Sequence, residues 1–143
     1  MTWKTALADL PFGGAKSGIV ADVKNISLKQ KRNLLFYFGR ALKFIAPRLY
    51  VAAPDINTGE REMQWFVEGN GSLKSATGKP KRLRGIPHEY GITGYGVAQA
   101  TLMAAKHIGL NIYDAIVAIE GFGNVGSFTA HYLSNMGANI VAV

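Results

Sequence analysis

The stretch Ala115-Ile116-Val117-Ala118-Ile119-Glu120-Gly121-Phe122-Gly123-Asn124-Val125-Gly126 decides the fold of this 143-residue chain. Its first five residues form a continuous apolar run, which is typical of a buried parallel strand. A helical pattern follows from Ser127 to Met136, Gly137 closes it, and residues 139–143 have the composition of a second strand. The order strand, glycine loop, helix, strand predicts an α/β fold that contains a βαβ unit of the Rossmann type.

The spacing of the three glycines predicts a dinucleotide site within that unit. Gly121 permits a tight turn, Gly123 lets a pyrophosphate reach the backbone, and Gly126 allows the helix to pack closely against the strand. Amides at the start of the helix then face the phosphates, where the helix dipole favours negative charge. The candidate cofactor-binding residues are Gly121, Phe122, Gly123, Asn124, Val125 and Gly126. A glycine turn in another kind of α/β protein is the alternative, because the motif alone is weak.

The sequence does not reach the residue that separates the two nicotinamide cofactors. In such folds an acidic residue contacts the adenosine ribose about twenty residues beyond the glycines. The sequence stops at Val143, before that position. We therefore predict NAD or NADP as the cofactor, without a choice between them.

A second glycine-rich segment, Leu10-Pro11-Phe12-Gly13-Gly14-Ala15-Lys16-Ser17-Gly18, contains a single lysine. Three glycines within six residues let other groups approach the backbone closely. A lysine in such a confined setting is a candidate base or nucleophile, because a neutral amine can take up a proton. An ordinary solvated loop lysine is the alternative that spacing alone leaves open. A phosphate-binding P-loop is excluded, because that motif requires glycines at the positions of Leu10 and Ala15.

The remaining pattern predicts further helices and strands. Ser27 and Gln30 have capping-box spacing, and apolar residues at helical spacing follow until Pro47. Thr58 is the expected N-cap of the next helix. The other expected elements are a strand at Gly18–Ala21, a strand at Tyr50–Ala53, a helix that carries Met63, Trp65, Phe66 and Leu73, a connection at Thr77–Tyr90, and a helix from Thr93 to Ile108.

Composition excludes several classes of protein. No apolar run reaches the roughly 20 residues that span a bilayer, so no membrane association is expected. Zero cysteines exclude disulfides and thiolate metal sites and fit an intracellular protein, so we expect a cytoplasmic location. The three scattered histidines have no metal-ligand spacing, and no metal site is predicted. The net charge is +7, but the densest basic cluster, Lys79–Arg84, is short and lacks interleaved aromatic residues. We therefore expect no nucleic-acid partner.

Five segments resemble the signature regions of glutamate dehydrogenases, within the superfamily that acts on glutamate, leucine, phenylalanine and valine. The segments are Met1–Lys4 followed by Leu10–Gly18, then Val51–Thr58, Thr77–Pro80, Ile92–Val97 and Gly121–Gly126. Their order and approximate spacing follow the family over essentially the whole chain. The sequence Ala53-Pro54-Asp55-Ile56-Asn57-Thr58 resembles the glutamate branch rather than the leucine, phenylalanine or valine branches.

The resemblance implies an oxidoreductase that catalyses the reversible, NAD(P)-dependent oxidative deamination of L-glutamate to 2-oxoglutarate and ammonia. It also implies that Lys16 is the catalytic lysine, which helps to activate water, and that Asp55 carries protons to and from the amino group. Lys4 would hold the α-carboxylate of the substrate, and Thr93 would lie near the nicotinamide carboxamide. The residues alone leave Asp55 open as a turn or helix-capping aspartate after Pro54.

The chain departs from the family pattern at three places. Val23 stands where proline or leucine is usual, and Ser17 stands where glycine is common. Residues 86–91 replace a stretch that often contains serine and arginine. No cofactor contact is therefore carried over from the family to that segment.

The resemblance also implies two partial domains. Residues 1–80 would belong to an α/β substrate-binding and oligomerisation domain, and residues 81–143 to a connecting helix and the truncated start of a Rossmann NAD(P)-binding domain. Family members are commonly hexamers, so a homo-oligomer is expected. The ligands for the substrate side-chain carboxylate lie outside this sequence, so we expect the isolated chain to lack appreciable activity. The alternatives are a dehydrogenase of an apolar amino acid, and a non-catalytic remnant that assembles with full-length subunits.

Overall fold

The computed structural model describes residues 1–86 and 90–143. In the described chain, four helices precede two short parallel strands, which a fifth helix connects. The helices are α1 (Thr2–Leu7), α2 (Leu28–Ala41), α3 (Glu60–Asn70), α4 (Ile92–His107) and α5 (Asn124–Asn135), and the strands are β1 (Ile116–Ala118) and β2 (Asn139–Ala142). Single 3₁₀ turns follow α3, at Leu73–Ser75 and Lys81–Leu83. None of the helices in these two ranges is long and apolar enough to cross a membrane.

Helix α2 begins with the capping box that the sequence predicts. The amide of Ser27 donates to Gln30 Oε1 at 2.8 Å, and the amide of Gln30 donates to Ser27 Oγ at 3.3 Å. These bonds satisfy two of the backbone donors that every helix start leaves unpaired. The helix ends at Ala41, earlier than the expected stop at Pro47, and the chain continues to residue 49 as turns.

Helices α2 and α3 cross with their backbones in direct contact. A Cβ atom placed at Gly39 would overlap the carbonyl oxygen of Phe66 and lie 2.9 Å from its carbonyl carbon. A Cβ placed at Gly69 would overlap the backbone of Phe36 in the same way. The buried side chain of Asn70 donates to the carbonyl oxygen of Gly39 at 3.1 Å. Glycine at these two positions therefore sets the distance between the helices.

The first hydrophobic core lies between these helices and the segment that follows residue 50. Its members are Ala52, Met63, Phe66, Val67 and Ala76, against which Phe38, Leu42 and Tyr50 pack. Phe66 is fully buried, and its ring meets the ring of Phe38 edge to face at 5.6 Å. This core fixes the segment that leads to Asp55.

A second core lies around the parallel strands. Helix α5 connects β1 to β2, which pair in parallel with Ile116 opposite Asn139. Helix α4 packs on α5, and a Cβ placed at Gly94 would lie 2.9 Å from the carbonyl oxygen of Val125. The buried residues of this core are Ala98, Ala105, Ile112, Leu133 and Ala138. The parallel strands and their connecting helix agree with the predicted order of elements.

Two expected strands are wrong in detail. Residues Gly18–Ala21 have no regular secondary structure, and Val20 is fully exposed. No strand of the described residues pairs with this segment, so its backbone groups have no ladder to join. In the expected strand Tyr50–Ala53 only Ala52 is paired, through an isolated parallel bridge to Ala76.

The helix boundaries also differ from the expectation. Gly59, and not Thr58, is the N-cap of α3, because Glu62 Oε2 accepts the Gly59 amide at 2.8 Å. Gly71, at a φ of +84°, ends that helix, so Leu73 lies in the following 3₁₀ turn. Helix α5 starts at Asn124, three residues before the expected start. The short helix α1 has no counterpart among the expected elements.

The described chain exposes much more surface than a folded protein of its mass. Its accessible surface is 10128 Å², whereas a monomer of 15.4 kDa exposes about 7,200 Å². Large apolar side chains contribute to the excess, among them Trp3, Leu7, Phe44, Ile56 and Ile116. These side chains are available for burial against other protein surfaces.

Candidate active site and dinucleotide loop

The Lys16 loop is attached to helix α1 at Gly14. A Cβ placed at Gly14 would overlap the amide of Thr2 and lie 2.6 Å from the Cβ of Met1. Gly13 and Gly18, by contrast, face open space. Glycine is therefore required for close approach at Gly14, where the loop meets the helix that carries Lys4.

Lys16 pairs with Asp55, which lies 39 positions away in the sequence. The ammonium group of Lys16 donates to Asp55 Oδ2, and the two side chains are 65% and 54% exposed. This ion pair joins two of the residues that the resemblance implies for catalysis. An accessible amine next to a carboxylate can exchange protons both with that carboxylate and with water.

Asp55 lies in a turn that other groups close. Its amide donates to Thr58 Oγ1 at 2.7 Å, and the Thr58 hydroxyl donates to the carbonyl oxygen of Asp55 at 2.9 Å. Upstream, the Ala52 amide donates to the Ser75 carbonyl oxygen at 2.9 Å. In this turn the Asp55 carboxylate accepts a hydrogen bond from Lys16. Asp55 does not cap helix α3, since the Glu62 carboxylate takes that role.

Ser17 is held from the other side by Tyr50. The Tyr50 hydroxyl donates to Ser17 Oγ at 3.0 Å, and the Tyr50 ring packs against the first core. No sequence signal indicates this bond, since the two residues are 33 positions apart and tyrosine is common in cores.

Lys4 lies on α1, close to the loop in the chain fold but outside the ion pair. Its side chain is exposed, and within the described residues no hydrogen bond or ion pair joins it to Lys16 or Asp55. The structure thus brings Lys16 and Asp55 together and leaves Lys4 on the neighbouring helix.

A second ion pair, more buried than the first, lies beside this group. Lys31 Nζ is 2.9 Å from Glu62 Oε1, and the two side chains are 23% and 6% exposed. Burial raises the pKa of Glu62, but the Lys31 hydrogen bond, the backbone amides and the Lys31 charge outweigh it and hold that pKa below its usual value. Sequence reasoning missed this pair, because nothing in the spacing of the two residues distinguishes them from surface charges. A cavity of about 390 Å³ has Lys31, Asp55, Ser17 and Tyr50 in its wall.

The glycines of the dinucleotide loop have three different environments. Gly121 has a φ of +89°, which favours glycine, and turns the chain out of β1. Gly123 has nothing within 4 Å of an added Cβ, so ligand atoms can approach its backbone. A Cβ at Gly126 would overlap the carbonyl oxygen of Gly121 and lie 3.5 Å from the Ile119 side chain. The turn at Gly121 and the close packing at Gly126 agree with the spacing, and the binding of a pyrophosphate at Gly123 stays a prediction.

The rest of the candidate cofactor residues lie around the start of α5. Asn124 is its first residue, and Phe122 and Val125 are exposed on either side of it. Thr93 is exposed in the first turn of α4, and the next residue, Gly94, packs against α5. The buried Thr129 hydroxyl bridges the two helices by contacts to the carbonyl oxygens of Gly94 at 3.4 Å and Val125 at 2.8 Å.

Thr93 and the glycine loop are thus held at one end of the α4–α5 pair. Among the described residues, no hydrogen bond or ion pair links this group to Lys16 and Asp55. The departure at residues 86–91 lies partly outside the described residues, which omit 87–89 and so His88. His107 is the last residue of α4 and His131 is exposed on α5, and no cluster of metal-binding side chains occurs in the described ranges.

Comparison with known proteins identifies relatives of the whole chain. The sequence model of the Glu/Leu/Phe/Val dehydrogenase dimerisation domain matches residues 1–70, and that of the glutamate/leucine/phenylalanine/valine dehydrogenases matches residues 85–143. Glutamate dehydrogenase A2 of Halobacterium salinarum is 44% identical over 150 aligned residues. The NADP-specific glutamate dehydrogenase of Saccharolobus shibatae is 40% identical, and the NAD-specific enzyme of Peptoniphilus asaccharolyticus is 36% identical. In each case the alignment covers 100% of this chain and 36% of the relative.

A solved glutamate dehydrogenase structure is also similar to this chain. The hetero-hexameric glutamate dehydrogenase from Thermus thermophilus, in its Leu-bound form, superposes with a TM-score of 0.82 at 31% identity. The superposition covers 99% of this chain and 36% of that one. The chain thus spans about 36% of the length of the curated relatives it matches. Because the sequence models match along the chain and these relatives are glutamate dehydrogenases, the chain belongs to the glutamate/leucine/phenylalanine/valine dehydrogenase family.

Proposed function

We propose that this chain carries the catalytic lysine of an NAD(P)-dependent glutamate dehydrogenase, which converts L-glutamate reversibly to 2-oxoglutarate and ammonia. The observation that carries the proposal is the ion pair between Lys16 and Asp55. Two residues that the family resemblance implies for catalysis, 39 positions apart, are joined by a hydrogen-bonded ion pair. The comparisons support the amino-acid dehydrogenase class, because the relatives named above are glutamate dehydrogenases.

The proposed roles follow from the chemistry of each side chain. Lys4, a cation on the helix next to the loop, binds the α-carboxylate of glutamate. The uncharged Nζ of Lys16 takes a proton from the water that attacks the iminium carbon of the oxidised substrate. The Asp55 carboxylate carries protons to and from the substrate amino group. Between turnovers it accepts a hydrogen bond from the Lys16 ammonium group. The bound nicotinamide supplies the hydride acceptor.

For the cofactor we propose a Rossmann-type site at Gly121–Gly126 that binds NAD or NADP. The open space at Gly123 would accommodate the pyrophosphate, and the amides at the start of α5 would face it. Thr93 would contact the nicotinamide carboxamide. In support, one similar enzyme is named as NADP-specific and another as NAD-specific.

The proposal includes a domain arrangement and an assembly. We assign residues 1–80 to the substrate-binding and oligomerisation domain and residues 81–143 to the start of the cofactor domain. The two separate cores support this division. The exposed apolar surface and the hetero-hexameric relative support an oligomer as the working form. We propose a cytoplasmic location on the ground that the sequence contains no cysteine. Light scattering would test the assembly, since a mass that stays at 15.4 kDa at every concentration would contradict it.

A chimera provides the activity test. Residues 1–143 would replace the matching segment of the Saccharolobus shibatae enzyme, which supplies the remainder of the protein. We expect glutamate-dependent reduction of NADP⁺ by the chimera, and a loss of about 10²-fold or more in kcat after Lys16→Ala. Lys29→Ala, an exposed lysine on α2, is the matched control and should retain the parental rate. A correctly assembled chimera that is inactive, or one in which Lys16→Ala is fully active, would contradict the proposal.

A further inference from the structure

The loop that carries Lys16 has few attachments of its own. Among the residues that the structure describes, no backbone amide or carbonyl from Gly13 to Val20 takes part in a hydrogen bond. Two side chains supply the hydrogen bonds of this stretch, Lys16 to Asp55 and Ser17 to Tyr50. The position of the Lys16 amine therefore depends on these two side-chain contacts and on the packing of Gly14.

The ion pair alone is a weak restraint. Both of its side chains are more than half exposed, and exposed pairs contribute about 0–1 kcal/mol. Lysine also has four rotatable side-chain bonds, so ordering it is costly in entropy. A second attachment next to Lys16 is needed to keep the amine at the carboxylate for most of the time.

Tyr50 is suited to be that attachment. Its ring packs against the first core. It lies two residues before Ala52, whose amide donates to the Ser75 carbonyl oxygen and whose carbonyl oxygen accepts from the Thr77 amide. The same short segment, Tyr50 to Asp55, thus holds Ser17 through one end and Lys16 through the other. Two neighbouring loop residues are thus bound to two points of one segment, which the bridge at Ala52 anchors.

We propose that Tyr50 is a positioning residue for Lys16 and acts through the hydroxyl of Ser17. The role of Lys16 in this inference rests on the proposed function, but the restraint itself is a property of the chain and can be measured without activity.

The test is the reactivity of the Lys16 amine in the 143-residue chain. Trace acetylation with acetic anhydride, followed by peptide mass spectrometry, gives the labelling of Lys16 relative to that of Lys29. An amine bound to a carboxylate reacts slowly, so Asp55→Asn sets the upper limit. We expect Tyr50→Phe, which keeps the ring, to raise the Lys16 to Lys29 ratio about two- to fivefold.

Further variants separate positioning from general loosening of the fold. Ser17→Ala should give the same increase in the ratio. The double variant Tyr50→Phe/Ser17→Ala should give no larger increase than either single variant. Ser17→Thr, which keeps a hydroxyl group, should have the parental ratio. Tyr37→Phe, an exposed tyrosine on α2, should leave the ratio unchanged. Because Ser17 is exposed, Ser17→Ala also serves if Tyr50→Phe disturbs folding.

Two outcomes would overturn the inference. One is a parental ratio in Ser17→Ala, and the other is effects of the two substitutions that add in the double variant. Neither outcome depends on dehydrogenase activity, whereas full activity of Lys16→Ala in the chimera would overturn the proposed function. The failure of one can therefore be told from the failure of the other.

Discussion

The backbone contact between α2 and α3 gives a direct test of the packing that positions the Asp55 segment. Replacing Gly39 with alanine places a methyl group on the carbonyl group of Phe66, 2.9 Å from its carbonyl carbon. The helices must separate by roughly 1 Å to relieve the overlap. That movement also stretches the buried hydrogen bond from Asn70 to Gly39.

The expected cost is a balance of three contributions. Overpacking of a well-packed contact costs about 1–3 kcal/mol, and weakening the buried hydrogen bond costs about 1 kcal/mol. Alanine recovers up to about 1 kcal/mol because it favours helix more than glycine does. Gly39→Ala should therefore lower the free energy of unfolding by about 1–3 kcal/mol, or the melting temperature by roughly 3–9 °C.

The assay is urea denaturation of the 143-residue chain followed by far-UV circular dichroism. Gly96→Ala is the matched control, because Gly96 also lies within a helix and has nothing within 4 Å of an added Cβ. The free energy of unfolding of Gly96→Ala should rise by up to about 1 kcal/mol, because alanine favours helix more than glycine does. If Gly39→Ala is as stable as Gly96→Ala, the close contact between the two helices is refuted.

Three further predictions concern charge, the glycine loop and activity. Glu62→Gln should lower the free energy of unfolding by about 1–2 kcal/mol at pH 7. Because the Glu62 pKa is lowered in the folded state, this difference should shrink as the pH falls below 4.5 and through the folded value, as pH-dependent denaturation would reveal. Gly126→Ala should lower the melting temperature of the chain, whereas Gly123→Ala should leave it unchanged and weaken NADPH binding by the chimera, measured by fluorescence titration. The purified 143-residue chain should produce no glutamate-dependent absorbance of reduced nicotinamide, and such a signal, abolished by Lys16→Ala, would contradict that expectation.

Elements whose signals lie close together in sequence could be predicted well. The capping box at Ser27 and the glycines of Gly121–Gly126 depend on residues within about one helical turn of each other, and the structure has both as expected. The strand at Gly18–Ala21 was wrong for the opposite reason. An apolar run predicts a strand, but the strand forms only where a partner strand is available, and the sequence of the run does not report its partner.

The candidate site shows the same limit. The glycine-rich setting left Lys16 open between a candidate base and a solvated loop lysine, and Asp55 entered through the resemblance. Neither the loop glycines nor Pro54 indicate which acid a lysine 39 positions away will meet. Tyr50 and the Lys31–Glu62 pair went unnoticed, since their roles arise from tertiary packing of α2, α3 and the segment between them. Local pattern therefore predicted the glycine turn at Gly121–Gly126, and only the fold revealed how the lysine is held.

The most direct test of the central claim is a double-mutant cycle on kcat between Lys16 and Asp55 in the chimera. If the two residues act as one proton-transfer unit, Lys16→Met and Asp55→Asn should each lower kcat by about 10²-fold or more. The double variant should then be little slower than the slower single variant, because residues that act together are non-additive. Losses that multiply in the double variant, or a single variant with the parental kcat, would contradict the claim.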